Sequence, residues 1–117
     1  MHRRVLLERI HAFIQQNLGD PDLSPAAIAA AHHISLRLLH KLFQEQGETV
    51  AGWIRARRLE GSWRDLLDPA QGHRPVAAIG ACGGFRSPIQ FSRAFCAIYG
   101  LPAHEYRLSS SGSTTRQ

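Results

Sequence analysis

The second half of this chain repeats the first, and no other feature restricts its possible folds as strongly. Ile28, Ile34, Ser35, Leu39, Phe43, Gly47 and Trp53 recur as Ile79, Phe85, Ser87, Phe91, Phe95, Gly100 and Tyr106. The offset grows from 51 (Ile28 to Ile79) to 53 (Trp53 to Tyr106), so the second copy carries small insertions, one of them in its turn. Each copy reads as a short helix, a tight turn bearing an apolar residue, a serine cap, and a longer helix with two core positions four apart. Glycine and then an aromatic residue six positions on close each copy. This is the pattern of a helix-turn-helix unit, present twice. A single such match is a weak signal, because any all-helical protein offers capped helices; two in register are far more specific. At 117 residues the chain fits one domain or two very small ones sharing a helix.

Apolar residues recur at helical spacing nearly throughout, and no stretch alternates as a strand would. The first helix is expected from about Arg4 to Leu18, with Leu6, Ile10, Phe13, Ile14 and Leu18 on one stripe and Gly19-Asp20-Pro21 as its stop. Ser24 caps a second helix, about Pro25 to His32, with Ile28 and Ala29 inward. Ser35 caps the third, about Leu36 to Gln46, which Gly47 ends. The fourth opens at Thr49 or Val50 and carries Trp53, Ile54, Leu59, Trp63 and Leu66 toward Leu67. Asp68-Pro69 ends it, and a polar loop follows to Arg74. The fifth covers about Val76 to Gly83. Ser87 caps the sixth, Pro88 to Tyr99, and a last turn spans about Pro102 to Arg107. Ser109 to Gln117 has no apolar anchor and reads as a disordered tail. The expected fold is all-α, with two three-helix helix-turn-helix subdomains joined by a long connecting helix. Its boundaries are 1–48, 49–68 and 69–107, with 108–117 as tail.

Composition enters as a test of partners. Lys+Arg 14 against Asp+Glu 9 gives +5, which favours a polyanion, nucleic acid first, although an acidic membrane surface would suit the same number. No apolar run approaches the roughly 18 residues of a membrane span. Glu8, Arg9 and His11 interrupt the stretch after the basic N-terminus, so no signal peptide is expected and the cytoplasm is the default location. Cys82 and Cys96 form no C-x-x-C motif and read as free thiols. Among the seven histidines, His32 and His33 are adjacent and would diverge on a helix, and His73 and His104 stand in loop or terminal positions. No His/Cys set has zinc-ligand spacing. Nucleophile elbows, phosphate-binding glycine loops and paired catalytic carboxylates do not occur, so neither an enzyme nor a cofactor is expected.

Helical geometry sorts the third helix further. Leu36, Leu39, Leu42, Phe43 and Gln46 group on one side, with the apolar members assigned to the core. Arg37, His40, Lys41 and Gln44 cluster on the other at i, i+3, i+4 and i+7. Any one of them alone is an ordinary solvated side chain; on the second helix of such a unit their shared face suits a DNA groove. Arginine can grip the two guanine acceptors, glutamine can pair with adenine, and lysine meets guanine or phosphate. In the sixth helix Phe91, Ala94, Phe95 and Ile98 are assigned to the core. Ile89, Ser92, Arg93 and Cys96 are exposed, with Gln90 at the boundary and Arg86 in the turn. The candidate DNA-binding residues are therefore Ser35, Arg37, His40, Lys41 and Gln44 in the first unit, and Arg86, Ser87, Ile89, Gln90 and Arg93 in the second. Ser35 and Ser87 are caps whose helix N-termini can also meet phosphate. Phe43, Phe85, Phe95 and Tyr106 read as core rather than as stacking platforms for bases. That disfavours single-stranded RNA as the partner. A protein-interaction module with weak DNA binding is the second function class.

The segments Gly84-Phe85, Phe91-Ser92-Arg93-Ala94-Phe95, Tyr99-Gly100-Leu101-Pro102 and Glu105-Tyr106-Arg107 resemble the DNA-binding domain of the arabinose-regulator (AraC/XylS) family. Asp22-Leu23-Ser24, Ile34-Ser35, Leu39, Leu42-Phe43 and Arg58-Leu59 add to the match. The resemblance implies two three-helix subdomains on a rigid connecting helix, with the third and sixth helices in successive major-groove segments of double-stranded DNA. It also implies a bacterial transcription regulator with RNA polymerase as a plausible second partner. This part is expected to be monomeric, with effector binding and dimerisation in a separate domain if the chain is a fragment rather than a naturally short regulator. The chain departs from the family at Gly80, where alanine is usual, and at Gly83, where a bulky residue is common. Cys96 replaces a frequent lysine or arginine, and Trp63 replaces a polar residue. Glycine costs about 1 kcal/mol in a helix relative to alanine, so a weakened fifth helix is expected.

Overall fold

Residues 2–108 are described by the computed structural model, so the expected tail from 109 onward lies outside them. Six α-helices follow in order: α1 (Arg3–Gln16), α2 (Pro25–Ala31), α3 (Leu36–Gln44), α4 (Val50–Leu67), α5 (Val76–Cys82) and α6 (Pro88–Tyr99). A 3-10 turn at Pro69–Gln71 breaks the loop after α4, and residues 103–108 are again helical. Among the described residues there is no strand. The chain separates into two compact units between Arg57 and Arg58, inside α4.

The caps form where serine or threonine precedes a helical run. Ser24 accepts from the Ala27 N–H, Ser35 from Leu38, Thr49 from Gly52 and Ser87 from Gln90, at 3.0–3.1 Å. Each satisfies one N–H that the helix itself leaves without an acceptor. The C-terminal ends come earlier than periodicity suggests. Asn17 turns its amide back onto the Phe13 carbonyl at 2.8 Å and closes α1 at Gln16. After Gln44 the ladder tightens, with Gln46 N–H on Phe43 O and Gly47 N–H on Gln44 O, so the apolar pattern outlasts the α-helix by a turn.

The first unit buries Ile10 and Ile14 of α1, Ile28 and Ala29 of α2, Leu39, Leu42 and Phe43 of α3, and Val50 and Ile54 of α4. Trp53 seals it from the side. The His11 ring stacks on its indole (4.3 Å, 11°), and the Arg57 guanidinium lies 4.5 Å from the ring centroid. The Arg3 Nη1 donates to both carboxylate oxygens of Glu45, 2.7 Å to each, and ties the start of α1 to the end of α3.

In the second unit Leu59 and Leu66 of α4, Ile79 of α5, Phe85, Phe91 and Phe95, and Ala103 are buried. Trp63 packs against this core: its indole N–H donates to the Tyr106 hydroxyl at 2.9 Å and its ring stacks on Tyr99. Arg107 reaches back to the carbonyls of Arg74 and Gln71, fastening the end of the chain's second unit to the polar loop.

Gly80 has a packing reason that helix propensity leaves out. A Cβ at this position would lie 2.5 Å from Cδ2 and 2.6 Å from Cγ of Phe91, so the missing side chain is what lets that ring lie against α5. The first copy has Ala29 and Leu39 at the equivalent places; a smaller residue on the short helix accompanies a larger one on the long helix. Gly83 is similarly confined, since a Cβ there would come 2.7 Å from the buried Ser62 hydroxyl of α4.

Candidate nucleic-acid interface

The turn that aims each longer helix is built the same way in both units. In the first, His33 takes the left-handed conformation (φ 54°), Ile34 N–H bonds to Ala29 O and His33 N–H to Ala30 O. In the second, Gly84 (φ 97°) takes that place, with Phe85 N–H on Gly80 O and Gly84 N–H on Ala81 O. These paired bonds are a Schellman motif, which ends a helix and redirects the chain within two residues. Ile34 then packs on the first core and Phe85 enters the second, which seats α3 and α6 behind their serine caps.

On α3, Leu39, Leu42 and Phe43 are buried, while Arg37, His40, Lys41 and Gln44 are all exposed along the opposite face. One positive guanidinium, one ammonium, an imidazole and an amide thus project together from a helix anchored on its other side. Ser35, also exposed, caps its start. Leu36 departs from the expected grouping: at 44% exposure it stands outside the core beside Arg37, because a first-turn residue projects past the elements that cover the rest of its stripe. Leu38 packs against the core as a half-buried residue.

On α6, Phe91 and Phe95 are buried and Ile89, Ser92, Arg93 and Cys96 are exposed; Arg86 and Ser87 lie just ahead of it, Arg86 exposed. Ile98, assigned to the core from its spacing, is 54% exposed; Tyr99 and Tyr106 pack on this end of the core. Gln90 is exposed but already engaged. Its N–H bonds to the Ser87 hydroxyl and its side-chain Oε1 accepts from the Arg86 N–H at 2.9 Å. This is close to a capping box, with the side chain reaching one residue further back than usual.

The repeat aligns the two faces position by position. With the 52-residue offset of Ser35 to Ser87, Arg37 corresponds to Ile89, His40 to Ser92, Lys41 to Arg93 and Gln44 to Cys96. Both faces are solvent-facing, but α3 presents four polar side chains where α6 presents one cation, one hydroxyl, a thiol and an isoleucine.

Among the described residues no three His, Cys, Asp or Glu side chains gather as metal ligands, and no helix is long and apolar enough to cross a membrane. Both thiols are free and exposed; the Arg74 guanidinium lies 2.8 Å from the Cys82 sulfur. Burial lowers the pKa of His11, with Arg57 acting in the same direction against Glu48. Burial, then Glu60 and Tyr106, raises that of Tyr99.

Comparison with known proteins agrees with this architecture. Residues 28–109 match a family described as a helix-turn-helix domain. The transcriptional activator NphR of a Rhodococcus species is 40% identical over 107 residues, which are 92% of this chain and 31% of NphR. The chain thus spans about a third of that relative's length. Among solved structures, the DNA-binding domain of AdpA, a global transcriptional factor in complex with a target DNA, is similar with a TM-score of 0.83 at 21% identity. The match covers 95% of this chain and 97% of that one. A transcriptional regulator of Chromobacterium violaceum with an AraC-type DNA-binding domain gives a TM-score of 0.79 at 24% identity, over 92% and 93% of the two chains. At those identities the two structures establish the fold; the family match and the NphR likeness establish kinship. From its doubled turn, its two capped longer helices and these matches, the chain belongs to the AraC-type helix-turn-helix family, whose members are DNA-binding domains of transcription regulators.

Proposed function

We propose that this chain reads a specific double-stranded DNA site with both units, α3 and α6 each lying in a major groove. The observation that carries the reading is the face of α3: Arg37, His40, Lys41 and Gln44 are exposed together, on the second helix of the motif, opposite the buried Leu39, Leu42 and Phe43. Arg37 and Lys41 supply charge-assisted contacts to guanine or phosphate, and Gln44 and His40 supply donors and acceptors for base edges. In the second unit Arg86, Arg93 and the helix start behind Ser87 hold phosphates and set the register, which assigns most hydrogen-bonded readout to α3. Gln90 fastens the helix start through its carbonyl oxygen, which accepts from the Arg86 N–H.

The two blocks of such a site are expected about one helical turn apart, so that one copy of the chain reads an asymmetric sequence without a partner copy. The likeness to a transcriptional activator supports action at promoters, with RNA polymerase as a second partner. The chain spans about a third of that activator's length; where it is part of a longer regulator, effector sensing and dimerisation are assigned to a separate domain. Catalysis has no part in this reading.

Selection of bound duplexes from a random library, followed by titration of the best one at several salt concentrations, tests it. Two enriched blocks are expected, with Arg37→Ala or Lys41→Ala erasing one of them and each costing about 1–3 kcal/mol. Binding without enrichment would mean attraction by charge alone and would turn attention to protein partners.

A further inference from the structure

We propose that Ile89 is a base-reading residue of the second unit, selecting thymine through its 5-methyl group. The inference rests on α6 occupying a major groove, as proposed above, and adds the chemical class of the base it reads.

Ile89 is the second residue of α6 and is 64% exposed. It holds the position that Arg37 holds on α3, at the N-terminal end of the helix, from which side chains of such motifs reach base edges. The core of the unit is complete without it: Phe91 and Phe95 provide the buried stripe of α6, and Ile89 is no part of that cluster. A single exposed isoleucine is ordinary on a protein surface and by itself signals nothing. What gives it meaning is the set of groups around it.

The first turn of α6 has few hydrogen-bonding groups left for a base. Pro88 has no N–H. The Gln90 N–H is taken by the Ser87 hydroxyl, and the Gln90 carbonyl oxygen is held by the Arg86 N–H. That bond uses one of the oxygen's two lone pairs and fixes the direction in which the Gln90 amide points. Pro88 and Ile89 therefore present an apolar front. In the major groove the one apolar group on a base edge is the thymine methyl. Isoleucine suits it well, because its β-branched side chain is stiff at χ1 and loses little freedom on docking. Arg93, exposed one turn further along, supplies the charge that holds the helix against the backbone or a neighbouring guanine.

The test uses the whole chain and the duplex obtained by selection, with each thymine of the second block replaced singly by deoxyuridine, which removes only the methyl. Affinity is expected to fall about fourfold at one thymine, the value of burying one methyl group. Ile89→Ala should bind the thymine and uracil duplexes alike, while Ile89→Val keeps a reduced preference. Thermal unfolding of the variants should match the parent, since the residue is exposed. Three results would overturn the assignment: a second block without thymine, uracil tolerated at every thymine of that block, or a thymine preference that survives Ile89→Ala. In each of those cases the Arg37-dependent first block remains and the DNA reading stands; failure of the DNA reading itself shows instead as no enriched sequence at all.

Discussion

Gly80→Ala offers a sharp contest between two physical effects. Helix propensity alone predicts a gain of about 1 kcal/mol, because alanine loses less backbone entropy than glycine inside a helix. Packing predicts a loss. The added Cβ would lie 2.5 Å from Phe91 Cδ2, so the ring must retreat by about 1 Å to reach ordinary carbon contact. It has nowhere to go: Phe91 is 2% exposed, with the Phe85 and Phe95 rings 5.2 and 5.7 Å away, centroid to centroid. Overpacking of this kind costs about 1–3 kcal/mol, and the tight surroundings place this site at the upper end. The net expectation is a loss of about 2 kcal/mol, a fall in Tm of roughly 10 °C for a unit this small. Urea unfolding followed through Trp63, in a Trp53→Phe background so that only the second core reports, measures it. Adding Phe91→Leu should rescue much of the loss, because alanine on the short helix facing leucine on the long one re-creates the pairing that Ala29 and Leu39 make in the first copy. A Gly80→Ala protein as stable as its parent, or a double variant whose losses simply add, would refute the close-packing argument.

Two further expectations concern the first unit. His33 holds a left-handed backbone where the second copy has Gly84, so His33→Gly should stabilise the first unit by about 0.5–1 kcal/mol after the greater entropy of the unfolded chain is counted; a chemical melt that shows no gain contradicts this. His11 is harder to protonate in the folded state than in the unfolded one, where its pKa is about 6.5. Its contribution is therefore full above that value and lost as pH falls through the lower folded pKa, because only the unfolded chain takes up the proton readily. The first unit should become easier to melt as pH falls from about 7.5 to about 5.5, and His11→Phe should flatten that part of the profile.

Much of the fold is legible from local rules. A serine before a helical run caps it whatever the distant chain does, so the starts of α2, α3 and α6 follow from Ser24, Ser35 and Ser87. The repeat locates both turns and both longer helices, since the same local pattern needs the same arrangement of apolar residues. Helical period also separates Arg37, His40, Lys41 and Gln44 from Leu39, Leu42 and Phe43, because that division depends only on the angular step of the helix.

Period alone does not say how far a neighbouring element extends along a helix, and this is the limit of reading burial from spacing. Leu36 and Ile98 lie on apolar stripes yet project from the ends of α3 and α6 past what covers the middle. Gly80 reads as a flaw because propensity is a property of one residue, whereas its reason is the ring of Phe91 from another helix. Trp63 likewise has a purpose visible only with Tyr106, 43 positions away, in hydrogen-bond reach. Gln90 reads as a boundary residue by spacing, and its tie to the Arg86 N–H appears only in space. Local sequence suffices for the helices, their caps, the doubled motif and the polar face of α3, all of which arise within a few residues of chain. Packing settles which apolar positions are covered, which glycine is required and which polar groups remain available, because each of those depends on atoms brought together from distant parts of the chain.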